Sequence, residues 1–307
     1  MHRQNINNME LRTIISFVSV ADTGSMTKAA KICHISSSAI SKHIKDLEEE
    51  LDVPLLIRRR YDIKLTEYGE AFLVRAKIMI REARETLDEM ASLKGDLRGD
   101  LFIGAGSFIE PYIGVALAEF MNKYPKVRVF MQYNTSKELN KQLRSNDLDL
   151  AITMNEAYPT EGIDSLPCFK FQLYAIMSKD NDLARKEKVT YNDILQSRII
   201  IPDTGKRALA TMQKYTSFDI GKIFESSICV CNNANAILHG LSRLGAISFM
   251  PKEYVEYRTN LVAKQIIGFE TILTSNAHWM RDVPMKASAR AFLDIIKDLA
   301  KRNIFSK

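Results

Sequence analysis

Four cysteines in 307 residues, at positions 33, 168, 229 and 231, are too few and too scattered for a disulfide framework. Cys229 and Cys231 stand two apart, a spacing that in a strand does not suit a redox pair, and both are read as structural. The five histidines (His2, His34, His43, His239, His278) form no cluster, and no further Cys or His stands at ligand spacing from the cysteine pair, so no metal site is expected. No nucleophile and base can be paired from spacing, so no catalytic residues are assigned and the chain is not read as an enzyme. No apolar run is long enough to span a membrane. The opening MHRQNINN lacks the apolar core of a signal peptide, and a cytoplasmic location is expected. Charge of one sign is also in short supply where it would be most telling. Residues 1–98 carry 16 basic and 15 acidic side chains, so bulk charge marks no nucleic-acid-binding segment.

What is present is an ordinary globular composition, 46% hydrophobic and 26% charged, with room for two or three domains. Leu11, Ile14, Ile15, Val18 and Ala21 form a helical stripe over Met9–Asp22, ended by Thr23-Gly24. Two more helices follow back to back in Met26–Leu51. Ser25 is the expected cap of the first, where Ala29, Ala30 and Cys33 permit a tight crossing. Ser36 is the expected cap of the second, where Ile40, Ile44, Leu47 and Leu51 share one face. Its opposite face presents Ser37, Ser38, Ser41, Lys42 and Lys45, short hydroxyls and lysines of the kind a helix in a DNA groove offers to phosphates and base edges. Leu55–Ile57 and Ile63–Leu65 flank a basic turn, Arg58-Arg59-Arg60, and read as a β-hairpin wing.

From Thr66, another expected cap, a long helix runs without Pro or Gly between Gly69 and Gly95. Leu73, Ala76, Ile80, Ala83, Leu87 and Met90 fall on an a/d heptad, which predicts packing against the same helix of a second subunit. Residues 94–100, KGDLRGD, form a polar hinge and the best domain boundary.

Beyond it, short apolar runs alternate with helices. Strands are expected over 101–104, 127–132, 148–154, 171–177, 198–201, 226–231, 245–249, 261–266 and 270–274. Helices are expected over 111–120, 136–144, 205–215, 233–243 and 285–300. Such alternation predicts parallel sheets in an α/β fold, with a crossover between two lobes near Ser165–Lys179. Gly104-Ala105-Gly106 is no dinucleotide fingerprint, because Ile109 occupies the third glycine position. Gly106, Ser107 and Phe108 form instead a strand-to-helix turn that offers N–H groups and a hydroxyl to an anion. Asn134-Thr135, Met154-Asn155, Pro202-Asp203-Thr204 and Asn232-Asn233 end other strands, where open α/β sheets bind ligands. Lys206 and Arg207 could neutralise an acidic ligand.

The N-terminal residues resemble the winged helix-turn-helix of LysR-type transcriptional regulators. The resemblance is carried by Met9-Glu10-Leu11, Phe17, Gly24-Ser25-Met26-Thr27, Ala29-Ala30, Ser36 to Ser41, Ile44, Leu47-Glu48, Pro54-Leu55, Arg58, Leu65-Thr66-Glu67 and Gly69. It implies an α+β multidomain protein: a DNA-binding domain over 1–66, a dimerising linker helix over 67–94, and a two-lobed effector domain of the periplasmic-binding-protein type over 95–307. The first lobe would comprise about 98–168 and 276–307, and the second about 169–275. It implies double-stranded DNA with an inverted repeat, a small-molecule effector and dimers or tetramers as partners, with no cofactor. Thr27, Ser36, Ser37, Ser38, Ser41, Lys42, Lys45 and Arg58 would contact DNA. Gly106, Ser107, Phe108, Thr135, Asn155, Asp203, Thr204 and Asn232 would face the effector. The sequence departs from the family pattern at Ser37, where Gln is usual, which exchanges a bidentate adenine contact for one short hydroxyl. Specificity then leans on Ser38, Lys42, the wing at Arg58 and DNA shape. Leu56-Ile57 stands where the family favours Phe and a polar residue. A solute-binding protein or an α/β enzyme would share the second half, but this chain shows neither a signal segment nor a catalytic constellation.

Overall fold

The computed structural model describes residues 9–58, 63–106, 109–154, 161–203, 213–214 and 216–302, with the side chain of Arg58 outside the description. The chain forms two compact units, Met1–Leu93 and Lys94–Lys307.

In the first unit, α1 (Leu11–Thr23), α2 (Met26–Cys33) and α3 (Ser37–Leu51) pack around Phe17, Val20, Ala29, Ile40, Ile44 and Leu47, all nearly or fully buried. Each large side chain here contributes about 1.5–3 kcal/mol relative to exposure. The caps are those the hydroxyls predict. Ser25 accepts from the Lys28 amide at 3.4 Å and Ser36 from the Ala39 amide at 3.1 Å. The α1–α2 link turns at Gly24 (φ 63°), while His34 and Asp52 (both φ 53°) end α2 and α3 in the left-handed region. Strands β1 (Leu56–Arg58) and β2 (Ile63–Leu65) pair antiparallel as the wing; its turn, with Arg59 and Arg60, lies outside the described residues.

Helix α4 (Glu67–Ser92) is capped by Thr66, whose hydroxyl accepts from the Gly69 amide at 2.9 Å. Its heptad stripe splits. Ala76 and Ile80 are buried in the unit's own core, with Leu73 packed beside them and Phe72 edge-on to Phe17 at 5.2 Å. Leu87 and Met90, two turns further on, are exposed.

The second unit holds two sheets. One has the order β4-β3-β5-β13-β6, formed by β3 (Gly99–Ala105), β4 (Val127–Tyr133), β5 (Leu150–Thr153), β6 (Ile163–Phe171) and β13 (Leu273–Met280). The other has the order β10-β9-β11-β7-β12-β8, formed by β7 (Leu173–Ser178), β8 (Lys188–Val189), β9 (Ile199–Pro202), β10 (Ser227–Cys231), β11 (Ile247–Pro251) and β12 (Leu261–Ile266). Around them lie α5 (Glu110–Lys123), α6 (Ser136–Arg144), α7 (Tyr191–Leu195), α8 (Ile220–Glu225), α9 (Ala234–Leu244) and α10 (Ala287–Arg302). In the first lobe α10 packs on α5, with Phe292 edge-on to Phe120 at 5.3 Å.

Three expectations change. The sheets are mixed, not parallel: β13 runs antiparallel to β5 and β6, and β7 antiparallel to β11 and β12. The cause is the double crossing between lobes, which sends β13 back against the strand by which the chain left. The single strand expected over 171–177 is two, because Gln172 is itself the crossover between β6 and β7. Residues 170–171 and 273–274 accordingly pair in the first sheet, and the return crossing occupies 267–272. The strand expected over 270–274 starts only at Leu273 and runs to Met280. Its polar residues are satisfied inside the lobe: Ser275 accepts from the Phe169 amide at 3.1 Å, and His278 Nε2 lies 3.0 Å from Thr153 Oγ1. The helix expected over 205–215 lies almost wholly outside the described residues.

Candidate nucleic-acid interface and ligand crevice

The back of α3 is set by Ile40, Ile44 and Leu47, so its opposite face must turn outward. Ser37, Ser38, Lys42 and Lys45 are exposed there and Ser41 half-buried. Thr27 is exposed in the first turn of α2. The hydroxyls are not equivalent. Ser36 and Ser38 are hydrogen-bonded to each other at 2.8 Å while Ser36 caps the helix, whereas Ser37 is exposed in the first turn. Nor are the lysines: Lys45 pairs with Glu49 at 3.1 Å, one turn on. His43, which the pattern places between faces, belongs to the core edge, its Nδ1 lying 2.8 Å from Ser16 Oγ of α1.

Glu48 enters the sequence reading only through the Leu47-Glu48 pair of the family pattern, with no role attached to it. Its carboxylate accepts from the Leu55 and Leu56 amides at 2.8 and 3.1 Å, which ties the end of α3 to the first wing strand. Charge-assisted bonds of this kind are the stronger ones. Thr66 completes the frame by donating its hydroxyl to Pro54 O at 2.6 Å. Recognition face, wing and α4 are thus hydrogen-bonded into one body.

In the second unit the carboxyl ends of the parallel strands gather the candidate ligand residues. In the first lobe Gly106 donates to Ile152 O at 2.9 Å and Asn134 to Ala105 O at 3.0 Å, which sets Gly106 and Asn134-Thr135 side by side. The Thr135 hydroxyl accepts from Glu138 at 3.5 Å as the cap of α6. In the second lobe Asp203 donates its amide to Cys231 O at 2.8 Å, which sets it beside Asn232, and Asn233 caps α9 by accepting from Ala236 at 2.9 Å. Ser107, Phe108, Asn155, Thr204, Lys206 and Arg207 lie outside the described residues.

Next to Gly106 the lobes are tied by a feature with no sequence signal. Tyr112 of α5 donates its hydroxyl to Glu253 at 2.7 Å, and Tyr254 donates to Glu110 at 3.3 Å. Glu110 and Tyr112 belong to the first lobe, while Glu253 and Tyr254 lie in the 3-10 turn (Lys252–Val255) after β11 in the second, so the bonds cross. Burial, reinforced by the facing carboxylate, raises both phenol pKa values and keeps them as donors. Burial near Glu110 likewise raises Tyr133 to about 12.

Cys168 is buried, its thiol pushed up to about 12 by burial, but Cys229 is exposed on β10, which among the described strands forms a sheet edge. Among the described residues no group of three or more His, Cys, Asp or Glu could hold a metal, and no helix is long and apolar enough to cross a membrane.

Comparison with known proteins decides the family. Residues 11–70 match the bacterial regulatory helix-turn-helix protein, lysR family, and residues 94–301 match the LysR substrate binding domain. The chain belongs to the LysR family of DNA-binding transcriptional regulators. It is 32% identical over 174 residues to the nitrogen assimilation regulatory protein of Klebsiella aerogenes, an alignment that covers 56% of this chain and 57% of that one. It is 31% identical over 264 residues to a probable RuBisCO transcriptional regulator of Phaeodactylum tricornutum, covering 82% and 84%. Its fold matches full-length CbnR complexed with its target DNA (TM-score 0.68, 21% identity, 94% and 99% coverage). It also matches a full-length OxyR variant from Pseudomonas aeruginosa (TM-score 0.64, 19% identity, 94% and 95% coverage).

Proposed function

We propose that this LysR-family regulator acts in the cytoplasm by binding an inverted-repeat promoter site as a dimer or tetramer, and that a small molecule between its two lobes modulates it. Both units bind rather than catalyse. The observation that carries the DNA reading is α3: its apolar back is in the core, its hydroxyl and lysine face is exposed, and Glu48 fixes the wing beside it. Ser37, Ser38, Ser41 and Lys42 contact bases or phosphates, with Ser36, Thr27, Lys45 and Arg58 on the backbone. Base readout leans on Lys42 and DNA shape, because Ser37 offers one hydroxyl and Ser38 shares its own with Ser36. The ligand reading rests on Gly106 and Thr135 in one lobe and Asp203 and Asn232 in the other, at the carboxyl ends of their sheets. Ser107, Phe108, Asn155 and Thr204 belong with them by sequence position.

The test is a mobility-shift titration on the DNA upstream of the protein's own gene at several salt concentrations. Binding that prefers this sequence and weakens linearly in log–log form with salt is expected. Equal affinity for unrelated DNA would refute sequence-specific regulation.

A further inference from the structure

The second lobe contains a cavity of about 50 Å³ in which every lining side chain is apolar. Its walls include Leu173 of β7, Ile201 of β9, Ile223 of α8, Ile266 of β12, Phe218 and Phe269. The space is several times what one water needs, yet it offers none of the two to four polar partners a water requires, so it favours an apolar occupant. The walls are also held apart. Phe218 packs on Tyr191 with ring centroids 4.7 Å apart and lies over Gly268, where a Cβ would come within 3.1 Å of its ring. Thr216 donates to Gly268 O at 2.9 Å, and the Gln213 side chain donates to Phe218 O at 2.7 Å and accepts from the Ile220 amide at 2.9 Å. A cavity framed in this way does not close by relaxation of one side chain.

Its position matters more than its size. Leu173 directly follows the crossover at Gln172, while Ile266 and Phe269 flank or enter the return crossing over 267–272. Ile201 and Pro202 lead straight into Asp203 at the crevice. The cavity therefore sits at the end of the lobe where the chain passes to its neighbour, next to the strand ends assigned to the effector.

We propose that this cavity receives the apolar end of the effector, a branched aliphatic group of about three or four carbons by volume, while the polar end stays in the crevice. The proposal rests on the effector reading given above. A group seated there touches residues on both crossings and so bears on the angle between the lobes.

The experiment is methyl NMR on the full-length protein with labelled isoleucine δ1 methyls. Ile194, Ile201, Ile220, Ile223 and Ile266 report on the cavity, and Ile14 and Ile40 in the other unit serve as references. Xenon should give saturable shifts at the five cavity methyls and none at the references. Ile223→Phe, which fills the space, should weaken that response at least tenfold. Uniform, non-saturating shifts in the wild-type protein overturn the cavity as a site, whether or not the variant folds. 3-Methylbutanoate, with acetate as control, should move the same methyls and change DNA affinity. Equal response to acetate overturns recognition of the apolar group. Saturable cavity shifts with unchanged DNA affinity overturn the effector reading alone.

Discussion

Replacing Gly69 by Ala tests how α4 is joined to the wing. In the first turn of an unobstructed helix this change stabilises by roughly 0.5–1 kcal/mol, because alanine has less backbone freedom to lose. Here a Cβ would stand 2.1 Å from the Leu55 carbonyl oxygen and 3.1 Å from its carbon. That is more than about 1 Å inside van der Waals contact, and the obstacle is backbone, which cannot rotate away. The helix start must retreat, and three bonds hold it in place: Thr66 N to Leu55 O at 3.0 Å, Thr66 Oγ1 to Pro54 O at 2.6 Å, and Gly69 N to Thr66 Oγ1 at 2.9 Å. At about 1 kcal/mol net for each bond, losing two or three outweighs the helix gain and leaves a deficit of about 2 kcal/mol. For a unit of this size that lowers its midpoint by about 10 °C. The only tryptophan, Trp279, lies in the other unit, so its fluorescence follows that unit while far-UV circular dichroism also follows the helical one. The first unit's transition should fall and the fluorescence transition stay in place. A rise in the first transition would refute the backbone-contact argument.

Lys42→Ala should lower the slope of log affinity against log salt by about 0.9 if the ammonium neutralises one phosphate, and Lys45→Ala by less, since Glu49 already pairs with it; the salt-dependent mobility shift reads both. Tyr112→Phe leaves a Glu253 oxygen without its donor and should cost the second unit about 1–3 kcal/mol in denaturant titration followed by Trp279 fluorescence; an unchanged midpoint would show that the 2.7 Å bond contributes nothing. His278 is buried, and burial lowers its pKa from 6.5 to about 4, so between those values the unfolded chain binds the proton and the native chain does not. Stability is therefore full above pH 6.5 and falls as pH drops towards 4, by up to about 3 kcal/mol, a slope that His278→Gln should flatten. Leu87→Arg with Met90→Arg should raise the subunit dissociation constant at least tenfold in sedimentation, and no change would remove α4 from the interface.

The winged unit was legible because its helices obey one simple rule each. Apolar spacing marks the buried face of α3, and Ser25, Ser36 and Thr66 mark its neighbours' starts and its own. What failed elsewhere failed for particular physical reasons. β13 reads Leu-Thr-Ser-Asn-Ala-His-Trp-Met, which hides a strand, because Ser275, Asn276 and His278 are buried polar residues instead of an alternating exposed face. Helix α7 was missed although Thr190 and Asp193 form a capping box, since five residues give no periodicity to detect. The Tyr–Glu bonds between the lobes had no local signal at all: their partners stand 141 and 144 residues apart. Strand ends at Gly106, Thr135, Asp203 and Asn232 were legible as positions in a topology, but which of them touches a ligand depends on side-chain geometry that spacing does not encode.

The divided stripe of α4 bears on how copies of the chain assemble. The first half of the stripe is consumed by the unit's own core, so along it Leu87 and Met90, with the neighbouring Leu93, at 66%, 49% and 74% exposure, remain for a partner, while Tyr68 and Val74 are exposed off the stripe. Scaled by those exposures, burial of the three contributes about 1–2 kcal/mol each, or about 6–12 kcal/mol over both copies of a two-fold contact. Association itself costs roughly 4–15 kcal/mol, so this helix pair alone supports at best a weak dimer. The other unit offers a separate surface: β10 forms a sheet edge among the described strands and exposes Ile228 and Val230. An edge of that kind carries unpaired backbone groups as well as apolar side chains, the combination that recruits a second chain. A chain that uses two self-complementary surfaces closes into assemblies of four copies, and one that uses a single surface stops at two, each contact in the larger assembly compensating for the weakness of the other; sedimentation of the intact protein reads which of the two applies here.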